Sequence, residues 1–162
     1  MSKTFLTAFL IGIACIAIAV GGVLYMQRGA HIDPQVKVLK VRTAPLDDNS
    51  SLVVVDFRIA NNSDYPFKVR GVTVVVNNAD GSKPQGQTVS ETDAKQVFAG
   101  IPVLGTKYND SLIMNDILPG HKSWDRMIAA RFEMPEATLQ ARKNLTVQIE
   151  EVDGLTVNIP EK

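Results

Sequence analysis

Residues 5–26, FLTAFLIGIACIAIAVGGVLYM, constrain this chain more than any other feature, because they contain no charged side chain. As a helix rising about 1.5 Å per residue they would extend roughly 33 Å, and a hydrocarbon core is about 30 Å thick. Thr7 is the one clearly polar member, and a helix satisfies it by bonding the hydroxyl to a carbonyl one turn back. The pattern reads as a transmembrane anchor within residues 1–28, a linker at 29–35 and a folded domain at 36–162. A cleaved signal peptide would use Ala17-Ile18-Ala19 as its small-residue site, but the apolar run continues to Met26. A bacterial lipoprotein would use Ala14-Cys15, but Gly12 stands where leucine is usual and the run does not stop at the cysteine. The uncleaved anchor is the expectation.

Orientation has two opposed signals. Arg28, Lys37, Lys40 and Arg42 follow the apolar run and only Lys3 precedes it, which by the positive-inside count places the domain in the cytoplasm. That rule governs short loops, whereas a folded domain translocates largely regardless of charge. The short N-terminus favours a cytoplasmic N-terminus with the domain on the periplasmic or extracytoplasmic side. Ala8, Gly12, Cys15, Ala19 and Gly22 are all small and follow a 4-3-4-3 spacing, which keeps them on one helical stripe. Such a stripe lets a second helix approach closely within lipid. Ala14, Ala17 and Gly21 are small too and lie off the stripe, so chance composition is the competing explanation.

The domain's charge narrows its partners. Lys3 and Arg28 account for two of the 17 basic residues and none of the 17 acidic ones, so residues 29–162 carry a net charge of −2. No block of like charge stands out, which argues against nucleic acid as a partner. The single cysteine, Cys15, lies in the apolar run, so the domain has neither a disulfide nor a thiolate metal site.

Period-2 alternation dominates the rest. Residues 36–43 alternate imperfectly, with Val36, Val38 and Val41 against Lys37, Lys40 and Arg42. Residues 44–51 read as a turn. In residues 52–61, Val53, Val55, Phe57 and Ile59 share one face, and Val54, Asp56, Arg58 and Ala60 share the other. Residues 67–77 form a further strand with Val72, Val74 and Val76 on one face and Gly71 marking a bulge. Residues 90–100 read as a helix capped by Ser90, with Asp93 three residues on. Residues 101–109 are irregular, broken by Pro102 and Gly105. Short strands are expected at 111–117 and 124–134, and a helical turn at 135–143. Leu145, Val147 and Ile149 lead through a two-residue Asp153-Gly154 turn into Leu155, Val157 and Ile159. About seven short strands with frequent turns predict a mainly β fold, an antiparallel immunoglobulin-like sandwich preceded by one transmembrane helix. An irregular, helical insertion occupies residues 88–109.

No catalytic constellation emerges. His31 and His121 are far apart, and no spacing marks a metal site. G-x-S-x-G, the Walker loop and G-x-G-x-x-G are all missing. Asp47, Asp48 and Asn49 read as turn residues. Glu150 and Glu151 are strand neighbours on opposite faces, poorly placed as a catalytic pair. The better leads are apolar. Phe98, Ile101, Pro102, Val103, Leu104 and Tyr108 cluster in the irregular stretch, and Trp124 is the only tryptophan. Exposed, they would form a docking surface; packed down, they would close the end of a sandwich.

Val53 to Ile59 running into Asn61-Asn62-Ser63 and Tyr65-Pro66-Phe67, then Val72-Thr73-Val74, resembles the membrane-anchored immunoglobulin-like envelope domains. Bacterial telokin-like and late-embryogenesis type-2 domains are branches of that class. Leu118-Pro119-Gly120 and Phe132-Glu133-Met134-Pro135 carry the same likeness; residues 88–109 depart from it. The resemblance implies a binding or scaffolding role with no catalytic residues and no cofactor. The expectation is a non-enzymatic single-span protein that binds other membrane or envelope proteins, as an accessory subunit of a larger complex. The alternative is a sandwich that holds a lipid or other apolar ligand.

Overall fold

The computed structural model describes residues 3–27 and 34–161; within the first helix it describes the side chains of Thr7, residues 9–23 and Tyr25. The chain divides into two units, Met1–Ile32 and Asp33–Lys162.

The first unit holds helix α1 (Lys3–Gln27). Phe9, Leu10, Ile11, Ile13, Ile16, Ile18, Val20, Val23 and Tyr25 are each between 50% and 77% exposed on it. The helix expected at residues 5–26 is therefore present, but the crossing is not shown. Among the described residues no helix is long and apolar enough to cross a membrane.

The second unit is an antiparallel, eight-stranded, nearly closed sandwich. Its strands are β1 (Pro34–Asp47), β2 (Ser50–Asn61), β3 (Phe67–Asn77), β4 (Gln85–Thr88), β5 (Ile117–Leu118), β6 (Lys122–Phe132), β7 (Asn144–Glu151) and β8 (Thr156–Pro160). They pair in the order β1-β2-β6-β4-β3-β7-β8, with β5 added beside β3. β1, β2 and β6 form one layer, and β3, β7 and β8 the other. Between them Val53, Val55, Phe57, Ile59, Ile128 and Ala130 face Phe67, Val74, Val76, Leu145, Val147, Ile149 and Ile159. All of these are 0–1% exposed. Burying a valine, leucine, isoleucine or phenylalanine is worth about 1.5–3 kcal/mol each, so this double row is the main source of stability.

Two bulges explain the irregular patterns. In β1 the register jumps at Leu39, pairing Val38 with Phe57 but Lys40 with Asp56. The extra residue returns Val41 to the inner face and turns Lys40, Arg42 and Ala44 outward, which accounts for the imperfect alternation of residues 36–43. In β3 the jump falls between Val69 and Gly71. β4 is the corner strand. Gln85 and Gly86 pair with β3, whereas Gln87 and Thr88 pair with β6. A Cβ at Gly86 would lie 2.6 Å from the buried Phe132 ring and 2.9 Å from Ala130 Cβ. Only glycine fits where the strand changes sheets.

Several local expectations shift. β1 continues through Asp47 and turns at residues 48–49, so residues 44–51 are not all turn. Asp47 caps that turn by accepting from the Asn49 amide at 2.8 Å and the Ser50 hydroxyl at 2.5 Å. The last hairpin has a three-residue loop rather than two. Glu151 N bonds Leu155 O at 2.8 Å across Val152, Asp153 and Gly154, with Gly154 at φ +94°. β4 has no counterpart in the sequence pattern. β1 and β8 end the strand order and flank a cleft of about 500 Å³. Pro34, Pro160, Lys37 and the Leu39 bulge mark these edges, devices that discourage edge-to-edge association.

Candidate docking surface

The site grows out of the outer face of the β1-β2-β6 layer. An outer face normally meets water, yet Leu52 and Val54 of β2 are 0–1% exposed, like their inner-facing neighbours. The cover is the insertion. α2 (Glu91–Gly100) is followed by a 3-10 turn, Pro102–Leu104. Ser90 caps α2, its hydroxyl accepting from Asp93 N at 3.1 Å and donating to Asp93 Oδ2 at 2.7 Å. Ala94, Val97, Phe98 and Ile101 follow i, i+3, i+4, i+7 spacing, one helical stripe. With Leu104 they pack on Ala44, Leu52, Val54, Met127 and Ala129, a second core outside the sandwich.

A buried ion pair fastens this cover. Arg42, turned outward by the bulge, places Nη2 2.7 Å from Asp56 Oδ2, with both side chains less than a tenth exposed. Its Nη1 donates to the carbonyls of Leu104 at 2.7 Å and Thr106 at 2.8 Å. Its guanidinium lies 4.9 Å from the Phe98 ring centre and 5.5 Å from that of Tyr108. Asp56 accepts a second bond from Asn109 Nδ2 at 2.9 Å. One pair thus holds residues 98–109 to two strands. Removing either partner would strand a buried charge.

A second fastening ties the start of the insertion to its end. Glu91 accepts from Ser111 N at 2.9 Å and faces Lys107 Nζ at 2.8 Å. Desolvation alone would raise the Glu91 carboxyl above its ordinary value near 4.5. The Lys107 ammonium and the Ser111 donors outweigh it and hold the carboxyl at about 2. The neighbouring cleft of about 330 Å³ also carries Asp110, Asp116 and Arg126. Among the described residues no group of His, Cys, Asp or Glu could hold a metal ion.

The residues singled out as docking candidates separate into two kinds. Leu104 is buried at 1% exposure, and Phe98 and Ile101 are half-buried against the second core. These three serve packing. Pro102, Val103 and Tyr108 are exposed, Val103 at 72% and Tyr108 at 65%. Lys40 Nζ lies 5.6 Å over the Tyr108 ring. Trp124 is not part of this surface. It pairs with Ile59 on the inner-face register of β6, half-buried, under the Arg126 guanidinium at 4.4 Å. Of the small stripe, Gly12, Cys15, Ala19 and Gly22 lie on α1; the Ala8 side chain and His31 lie outside the described residues. His121 bonds Asp64 at 2.8 Å in an exposed turn. Arg42, Asp56, Glu91 and Asn109 were not among the candidates. Asp56 carried a readable signal, an acid inside the apolar run LVVVDF; the other three carried none.

No family model matches the chain, and no curated protein matches it. The telokin-like and late-embryogenesis likeness therefore has no family-level support. Among solved structures the chain is similar to an uncharacterized beta-sandwich protein from Clostridium difficile 630, at 11% identity over 80% of this chain and 85% of that one, TM-score 0.42. It is similar also to the archaellum periplasmic stator protein FlaG from Sulfolobus acidocaldarius, at 13% identity over 80% of this chain and all of that one, TM-score 0.36. A third is the Iho670 flagellar-like filament, at 10% identity over 99% and 98%, TM-score 0.38. With TM-scores under 0.5, these likenesses carry no functional inference.

Two outcomes test the fastening. Asp56→Ala leaves Arg42 buried and unpaired, so equilibrium unfolding should show a loss of about 3–5 kcal/mol. Because the two side chains are in contact, the double replacement Arg42→Met with Asp56→Leu should cost less than the sum of the two single replacements. The second outcome concerns acid. A depressed carboxyl stabilises the fold above its unfolded pKa and loses that contribution as pH falls through its folded one. Stability should therefore decline between about pH 4.5 and 2, and Glu91→Gln should flatten that part of the pH profile.

Proposed function

We propose that this chain is a non-enzymatic scaffold. α1 anchors it in a membrane, and the sandwich, on the extracytoplasmic side, binds another membrane or envelope protein as an accessory subunit. One observation carries the reading: Val103 and Tyr108 stand exposed on a segment that a buried ion pair fixes to the sheet. Exposed apolar side chains on a rigid support bind with little loss of conformational freedom, and tyrosine is among the residues that dominate interfaces. The strand pairing supports an immunoglobulin-like assignment. β1-β2-β6 and β3-β7-β8 correspond to the A-B-E and C-F-G pairings of that sandwich.

Three of the acids that an enzyme could have used have structural employment. Asp47 caps a turn, Glu91 closes the insertion and Asp56 pairs with Arg42. A lipid held between the sheets is disfavoured, because Val53, Val55, Phe57, Phe67, Val147 and Ile149 fill the centre of the sandwich at 0–1% exposure. The small residues Gly12, Cys15, Ala19 and Gly22 supply a second contact, helix to helix, within this reading.

Purification of the full chain from its native membrane in mild detergent should bring down a stoichiometric partner. Tyr108→Ala should weaken that association by roughly tenfold or more, and Val103→Asp should abolish it while leaving the unfolding transition in place. A chain that migrates alone, or a partner retained by both variants, would contradict the proposal.

A further inference from the structure

The loops at the two ends of the sandwich differ in kind. Pro34, where the chain enters the domain, pairs with Asn61, which pairs in turn with Lys122. Phe67 pairs with Leu118, and Val69 with Glu151. The loops 62–66 and 152–155 and the segment 113–121, which includes the two-residue β5, therefore all lie at the end where the chain enters. They expose Tyr65 at 47%, Ile113 at 48%, Met114 at 67%, Ile117 at 50%, Val152 at 46% and Leu155 at 40%. The opposite end turns on Asp48, Asn49, Asn78, Asp80 and Ser82, and the exposed large apolar residue nearest to it is Leu46, at 38%. Single exposed apolar residues are ordinary; their gathering at one end is not.

These tips are held in place. The Asn61 amide, itself buried, donates to the carbonyls of Tyr65 at 2.7 Å, Leu118 at 3.3 Å and Pro119 at 3.4 Å. Ile113 N bonds Asp116 Oδ2 at 3.1 Å, and Asp153 N bonds Glu151 Oε2 at 2.8 Å. Two nearby polar contacts are satisfied locally: Arg58 forks onto both oxygens of Asp125, and His121 bonds Asp64.

We propose that this end of the sandwich rests on a lipid surface, its apolar tips set into the headgroup boundary. This rests on the anchored reading above. α1 ends at Gln27 and β1 starts at Pro34, and that stretch of chain spans at most about 25 Å. Under that reading, the chain enters the domain at this end, a short stretch of sequence after the anchor. Tyrosine, methionine and branched aliphatic tips suit the interfacial layer. Because the tips themselves carry no charge, the contact they make is apolar and resists salt.

The test uses the full chain with Cys15→Ser, reconstituted into phosphatidylcholine vesicles. A single cysteine is introduced as Met114→Cys, Leu155→Cys or, at the opposite end, Lys83→Cys, and carries an environment-sensitive fluorophore. Flotation should carry all three with the vesicles. The labels at 114 and 155 should shift to the blue and be quenched by brominated lipid, unchanged at ~1 M salt, where charge attraction is screened. The label at 83 should report water. Vesicle-bound protein whose labels at 114 and 155 match the label at 83 would overturn this inference and leave the anchor intact. Labels at 114 and 155 that are shielded only as protein density rises would mean a second copy covers the tips, which also overturns it. A chain that does not float would overturn both the anchor and the docking.

Discussion

The buried pair of Arg42 and Asp56 is the interaction on which the domain's unusual layer depends. A three-stranded face of Ala44, Leu52, Val54, Met127 and Ala129 would otherwise meet water. Covering it requires a segment with its own backbone polar groups, and those need partners in a place water does not reach. Arg42 supplies them for Leu104 and Thr106 while Asp56 compensates its charge. Burial of an ion pair is weak evidence for stability by itself, because desolvation offsets the attraction. Its worth here is specificity: the pair fixes where the insertion sits, and the apolar contacts of Ala94, Phe98 and Leu104 add the stabilisation.

The pair exists because of a backbone irregularity. Without the bulge at Leu39, Arg42 would share a face with Val36 and Val38 and point into the sandwich. One extra residue sends Val41 inward and Arg42 outward. Glycine plays the matching part at the opposite side of the layer, where β4 crosses from one sheet to the other against Phe132. The two irregularities allow a nearly closed sandwich to carry a second core on its outside.

Much of this was legible along the chain. The faces of residues 52–61 and 67–77, the Ser90 cap and the two strands of the final hairpin, though not its loop length, are set by local alternation and turn residues, which depend on near neighbours. What escaped was non-local. β4 is only four residues, Gln85–Thr88, and carries no alternation to read. The 3-10 turn looked irregular because its order comes from Arg42, 62 positions away from Leu104. Asp56 sits in an apolar run, but the cover above it comes from far along the chain, with Asn109 53 positions away. The apolar stretch Ile101-Pro102-Val103-Leu104 could either pack or dock; the fold divides it, burying Leu104 and leaving Val103 in solvent.

The central claim is that the insertion belongs to the sandwich's cooperative unit and is not an appended flap. Native-state hydrogen exchange tests it most directly. The amides of Ala94, Leu104 and Leu112, bonded to Ser90, Ile101 and Met127, should open with a free energy within about 1 kcal/mol of the most protected amides of β2. Exchange of those three through a much cheaper local opening, while β2 stays protected, would contradict the account.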